Sequence, residues 1–128
     1  MDDLINAINS IYYSVIDDIE INILSKQIVF ELTLYENGNR THHIMQFGNV
    51  TSILWLEKPQ NSQAFSLPNC DYYELTSVTI QRIGAATCNS WLKQYLMEYN
   101  VAIEIWESAL LINATEVSID NQFYSIND

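Results

Sequence analysis

From Ile19 to Ile23 and again from Ile28 to Leu34, apolar residues recur at every second position, the period of an extended chain with one buried face. Ile19, Ile21 and Ile23 alternate with Glu20 and Asn22. Ile28, Phe30, Leu32 and Leu34 alternate with Val29, Glu31, Thr33 and Tyr35. The pattern predicts three strands, over residues 19–24, 28–35 and 40–47, joined as successive hairpins. Ser25-Lys26 can serve as a two-residue loop, and Asn37-Gly38 supplies the positive φ that a tight hairpin turn needs. The remaining segments are expected to cover the apolar face of this meander.

Ahead of the meander, Leu4, Ile5, Ile8, Ile11 and Tyr12 share one face of a helix over residues 2–12. Asp2 and Asp3 stand where the positive end of its dipole favours acids. Residues 50–57 read as a strand with apolar side chains on both faces, hence covered on both sides or set beside a helix. Residues 58–69 contain Pro59 and Pro68 and read as a loop that can hold a short strand near Phe65. Residues 71–83 return as a strand whose apolar alternation changes face between Leu75 and Val78, which predicts a bulge near Thr76-Ser77. Asn89 or Ser90 can cap a second short helix running to Tyr99. Further strands are expected over residues 101–106, 110–114, 117–119 and 123–126, with Asp120-Asn121 as a hairpin turn. The expectation is one α+β domain over residues 1–128. About seven to nine strands form a predominantly antiparallel sheet, and two short helices pack on it.

The chain is 48% hydrophobic, with eight Tyr, three Trp and four Phe, which excludes a disordered acidic tail. No apolar run approaches the length of a membrane span, and the start Met1-Asp2-Asp3 lacks a basic leader, so a soluble, cytoplasmic protein is expected. Sixteen Asp and Glu against five Lys and Arg leave a net charge of −11. That field disfavours nucleic acid and anionic membranes and favours basic partners. The acids are dispersed, as suits a folded surface.

Signals for catalysis are weak. A Gly-rich phosphate loop, a nucleophile elbow and a zinc-protease helix are all missing from the sequence. His42 and His43 are adjacent, so on a strand they point to opposite faces and cannot share a metal ion or act as one acid–base pair. One of them could partner Cys70, Cys88 or a carboxylate. The two cysteines lack zinc-site spacing and are expected to be reduced thiols. No metal or cofactor is expected. Trp106 lies among acids, with Ala102, Glu104 and Trp106 on one face of a strand and Ile103 and Ile105 on the other. On an outer face it would serve as an anchor for a basic partner; it could equally pack beneath the second helix.

Several short motifs carry a resemblance across nearly the whole chain. They are Glu36-Asn37-Gly38 with Thr41-His42-His43, Asp71-Tyr72-Tyr73-Glu74-Leu75-Thr76-Ser77, Trp91 with Gln94-Tyr95, and Glu104-Ile105-Trp106. In these the sequence resembles the YxiG-like family of small acidic bacterial proteins. The resemblance implies a role like that of polymorphic-toxin immunity proteins, which bind and block a cognate toxin domain. It supplies no catalytic residues.

The expectation is therefore a non-catalytic immunity or antitoxin protein that neutralises a basic toxin domain, such as a nuclease, through an acidic surface. Asp71, Glu74, Glu104, Trp106 and Glu107 are the candidate contacts. Reversing Glu104 and Glu107 to Lys is expected to weaken binding and leave the fold intact. The alternative is a phage- or mobile-element-encoded acidic mimic of nucleic acid that inhibits a host defence enzyme. A small enzyme using His42 or His43, and an assembly domain that dimerises through a sheet edge, are further readings; monomer and homodimer both remain open.

Overall fold

A computed structural model describes residues 2–57, 72–81, 95 and 98–126. Helix α1 (Asp2–Ile11) is followed by β1 (Val15–Asn22), β2 (Gln27–Glu36), β3 (Asn39–Gly48), β4 (Ser52–Glu57), β5 (Tyr73–Ile80), β6 (Val101–Ile105), β7 (Ser108–Asn113), β8 (Glu116–Ile119) and β9 (Gln122–Ser125). The nine strands form one antiparallel sheet in the order β4-β7-β6-β5-β1-β2-β3-β8-β9. The predominantly antiparallel sheet is thus as expected, but among the described residues one helix packs on it rather than two. The expected second helix lies largely outside those residues. So do the loop with Pro59 and Pro68, the strand near Phe65, and both cysteines.

The connections bend this sheet over on itself. β7 and β8 are separated by β6, β5, β1, β2 and β3 in the strand order, yet only Ala114-Thr115 joins them. Flat, those strands would span nearly 30 Å at roughly 4.8 Å per strand, whereas such a link reaches only about 10 Å. Gly48 to Ser52 makes an equally abrupt passage from β3 to β4. The two links are bonded together: Thr115 N–H donates to the Gly48 carbonyl (3.2 Å), and Asn49 Nδ2 donates to Thr115 Oγ1 (2.9 Å). Asn100 fixes the end of β7, donating to the Ala114 carbonyl (2.7 Å) and accepting from its N–H (3.0 Å).

Folding over brings both halves of the sheet onto one core. Ile28, Phe30, Met45, Phe47 and Val117 from one half meet Leu75, Val78, Ile103, Leu110 and Ile112 from the other. Phe30 and Phe47 pack edge to face at 6.2 Å between ring centroids, a geometry that suits the ring quadrupoles. From α1, Leu4, Ile8 and Ile11 enter this core, while Ile5, expected on the same face, is exposed. Tyr13 takes a left-handed φ of 69° and ends the helix. A smaller cluster on the opposite face joins Ala102, Ala109 and Leu111 to Leu54, Leu56, Tyr95 and Tyr99.

The meander is present with altered bounds. Asn37 and Gly38 take φ values of 53° and 79°, the paired left-handed turn expected between β2 and β3. The first hairpin closes earlier than its hydrophobicity predicts. Asn22 pairs with Gln27, leaving Ile23–Lys26 as the loop. The Asn22 side chain sets it by accepting the Ser25 N–H (3.0 Å), and Lys26 is left-handed (φ 58°). Ile23, expected on the buried face, is consequently 79% exposed, and Leu24 beside it is 96% exposed. β1 instead begins at Val15, with a bulge between Ile16 and Asp18. That extra residue lets Ile16 and Ile19 both face the core despite their odd separation. It also turns Asp17 outward, where its carboxylate accepts from the Thr33 hydroxyl. The expected bulge in β5 is present between Leu75 and Ser77 and keeps Leu75, Val78 and Ile80 on the core side.

Phe30 has no exposed surface, so Phe30→Ala is expected to lower unfolding free energy by about 3–5 kcal/mol. Urea denaturation followed by circular dichroism checks this.

Candidate functional site

β1 and β5 pair only at Val15 with Glu74 and Ile16 with Tyr73. Beyond Ile16, β1 runs on to Asn22 bonded to β2 alone among the described residues. Among the described residues β4 is the terminal strand of the sheet and pairs only with β7. The unpaired edges of β1 and β4 therefore border an opening. Ile53 and Trp55 lie opposite Ile112 and Leu110, so they belong to the core-facing side of β4. Without a neighbouring strand they remain partly exposed, Trp55 to 48%.

The opening has two lobes. A cleft of about 360 Å³ is lined by Ile16, Asp17, Asp18, Ile19, Trp55, Tyr73 and Ile105. A smaller one of about 180 Å³ lies toward the hairpin loop, between Asn22, Ile23 and Lys26 on one side and Val50 to Ile53 on the other. The residues lining the two lobes show that β4 runs antiparallel to β1 across the gap. Sequence reasoning missed this site. Its signal was the pair of apolar faces in residues 50–57: one face packs on the smaller cluster, and the other is left for the cleft.

Next to the cleft, Trp106 and Glu107 form the loop that returns β6 to β7, with Ile105 paired to Ser108. Trp106 is therefore a loop residue (φ 53°) and not the strand residue expected, while the helix expected to cover it lies largely outside the described residues. The β5 bulge explains its position: Thr76 offers its hydroxyl to the Trp106 N–H at 3.0 Å. The indole Nε1–H donates to the Tyr72 carbonyl (3.1 Å), and the two rings lie 5.6 Å apart at 51°. Tyr72, Tyr73 and Trp55 thus give this end of the molecule exposed aromatic surface beside the half-buried Trp106, bordered by Asp17, Asp18, Glu57, Glu74 and Glu107.

The five candidate contacts fare differently. Glu107 is exposed and Glu74 half-buried, and both lie near Trp106. Asp71 lies outside the described residues. Glu104 is corrected: it is 2% exposed. It does face away from the main core, as the alternation predicted, but that face is also covered. Its cross-strand partner Ala109 belongs to the cluster that packs against Tyr95 and Tyr99.

The histidines do point to opposite faces. His43 Nδ1 lies 2.6 Å from Asp120 Oδ2, and its Nε2 lies 2.9 Å from Thr41 Oγ1. Asp120 also accepts the Ile44 N–H (2.9 Å) and donates its own N–H to the Ile44 carbonyl (2.9 Å), so the group ties the β8–β9 turn to β3. His42 meets the Thr33 hydroxyl at 3.1 Å. Neither histidine lines the clefts beside β1, and no group of three or more potential metal ligands converges among the described residues. No helix among those residues is long and apolar enough to cross a membrane.

The fold and this surface define an antiparallel β protein that presents an acidic cleft lined in part by Trp55 and Tyr73, between two strand edges that have no ladder partner among the described residues. The sequence model of one family, the YxiG-like proteins, matches residues 4–124, and the chain belongs to that family. A search of curated proteins finds no match.

A double-mutant cycle on Tyr72→Ala and Trp106→Ala is expected to give a coupling of about 0.5–1.5 kcal/mol, read by chemical denaturation. Glu104→Lys is expected to destabilise the fold by roughly 3 kcal/mol or more, because it places a reversed charge in a covered site. Glu107→Lys is expected to change stability by less than about 0.5 kcal/mol. The melting temperatures of the two variants check the contrast.

Proposed function

We propose that this protein is a non-catalytic, immunity-type binding protein that neutralises a basic toxin domain by direct contact, in the cytoplasm and without a cofactor. The observation that carries the reading is the exposed aromatic end of the sheet. There Trp55, Tyr72 and Tyr73 gather near Trp106 within a border of carboxylates, on a chain of net charge −11. Aromatic side chains supply buried contact area at interfaces, and the surrounding negative field speeds encounter with a positive partner. A nuclease domain, whose substrate-binding surface must be basic, is a partner of the right charge. Glu74, Trp106 and Glu107 remain contacts in this proposal, joined by Asp17, Asp18, Glu57, Tyr72 and Tyr73. Glu104 is withdrawn because it is covered.

Affinity capture with the tagged protein from lysate of its source organism, followed by mass spectrometry, is expected to recover one basic, toxin-like partner in stoichiometric amount. Glu107→Lys is expected to weaken that complex at least fivefold in low salt, with a smaller effect at high salt. Recovery of a host defence enzyme would favour the nucleic-acid-mimic alternative. Absence of any specific partner would count against both.

A further inference from the structure

We propose that the gap between β1 and β4 is a slot for one extended segment of the partner, bound as an added strand whose apolar side chains face the cleft and whose basic side chains face outward. The inference rests on the reading that the chain binds a basic protein, and it specifies where and in what conformation.

Strand edges, cleft and charge lead to the same occupant. Along residues 17–22 the edge of β1 facing the gap has no ladder partner among the described residues, and the outer edge of β4 has none either. Such edges offer alternate N–H and C=O groups to an incoming strand. The slot lies between them, floored by Ile16, Ile19, Trp55 and Ile105. Ile16 and Ile105 are the buried base of the slot, and Ile19 and Trp55 keep exposed surface at its mouth.

Alternation along β1 then fixes the chemistry of a strand laid beside it. On the cleft side its side chains would neighbour Ile19 and Ile21 and should be apolar. On the outer side they would neighbour Asp18 and Glu20, which sit opposite Glu31 and Val29 in the β1–β2 ladder. Cross-strand pairs of opposite charge are favourable and like pairs unfavourable. The fitting segment therefore alternates Lys or Arg with Val, Ile or Leu. The same rule disfavours a second copy of this chain: pairing β1 to β1 would set Asp17, Asp18 and Glu20 of one molecule against those of the other, with each chain carrying −11.

The test uses the native protein and a blocked heptapeptide of alternating Lys and Val, with its Glu/Val counterpart and a version N-methylated at alternate residues as controls. Amide hydrogen exchange with mass spectrometry locates binding, and calorimetry measures it. Saturable binding of the Lys/Val peptide is expected, with at least tenfold slower exchange in residues 17–22 and 52–57. N-methylation, which removes strand hydrogen bonds and leaves charge and hydrophobicity, is expected to weaken binding at least tenfold. The Glu/Val peptide is expected not to bind.

Failure to bind the Lys/Val peptide would overturn the proposal. So would binding that leaves those amides unprotected, equal binding of the N-methylated peptide, or dimerisation that protects the same amides without peptide. No toxin enters this experiment, so its failure leaves the proposed function to the capture test. A captured partner that leaves these amides unprotected would preserve that function and reject the slot.

Discussion

The two short crossovers, bonded to each other through Gly48, Asn49 and Thr115, are the constraint on which the rest of the molecule depends. A chain that passes from β7 to β8 through Ala114-Thr115 cannot lay its strands out flat. Both halves of the sheet must therefore present their apolar faces to the same interior, and one core serves them. The crossovers also decide where closure fails. They set the start of β4 beside the end of β3 and the start of β8 beside the end of β7, while β1 and β5 pair only at Val15 and Ile16 among the described residues. The free edges of β1 and β4 are left on either side of the gap. The cleft follows from the topology, and Ile19 and Trp55 at its mouth are core-facing residues that no strand covers among the described residues.

The same bulges that make the fold possible shape this end of the protein. The irregularity at Asp17 keeps Ile16 and Ile19 on the core side and sends a carboxylate outward to the Thr33 hydroxyl. The irregularity in β5 frees Thr76 to hold the Trp106 loop. In each case one unpaired residue corrects the facing of its neighbours and leaves a polar or aromatic group near the cleft. A substitution at Thr76 would therefore disturb the β5 ladder and the Trp106 loop together.

Much of the fold was legible because it depends on local chemistry. The alternation from Ile28 to Leu34 located β2, Asn37-Gly38 gave the turn into β3, and the change of face between Leu75 and Val78 located the β5 bulge. What escaped depended on partners distant in sequence or on side chains overriding hydrophobicity. Ile23 and Leu24 continue an apolar pattern, yet Asn22 captures the Ser25 N–H and ends the strand before them. Glu104 reads as an outer-face acid, and only the cluster of Ala109, Leu111 and Tyr99 shows that the outer face is covered. The cleft was hidden for the same reason: no local pattern states that β4 joins β7 and, among the described residues, nothing on its other side.

That pairing also bears on how the protein comes to be folded. The meander of β1, β2 and β3 uses neighbours in sequence and can form as soon as it leaves the ribosome. β4 cannot: Leu54 waits for Leu111, and Met45 at the margin of the meander waits for Ile119. Contacts of such long range slow folding, because the loops must close before the contacts repay their entropy. During that wait the apolar face of the meander is open to water and to other chains. The net charge of −11 opposes association at that stage: it keeps unfinished copies apart until the last strands complete the core.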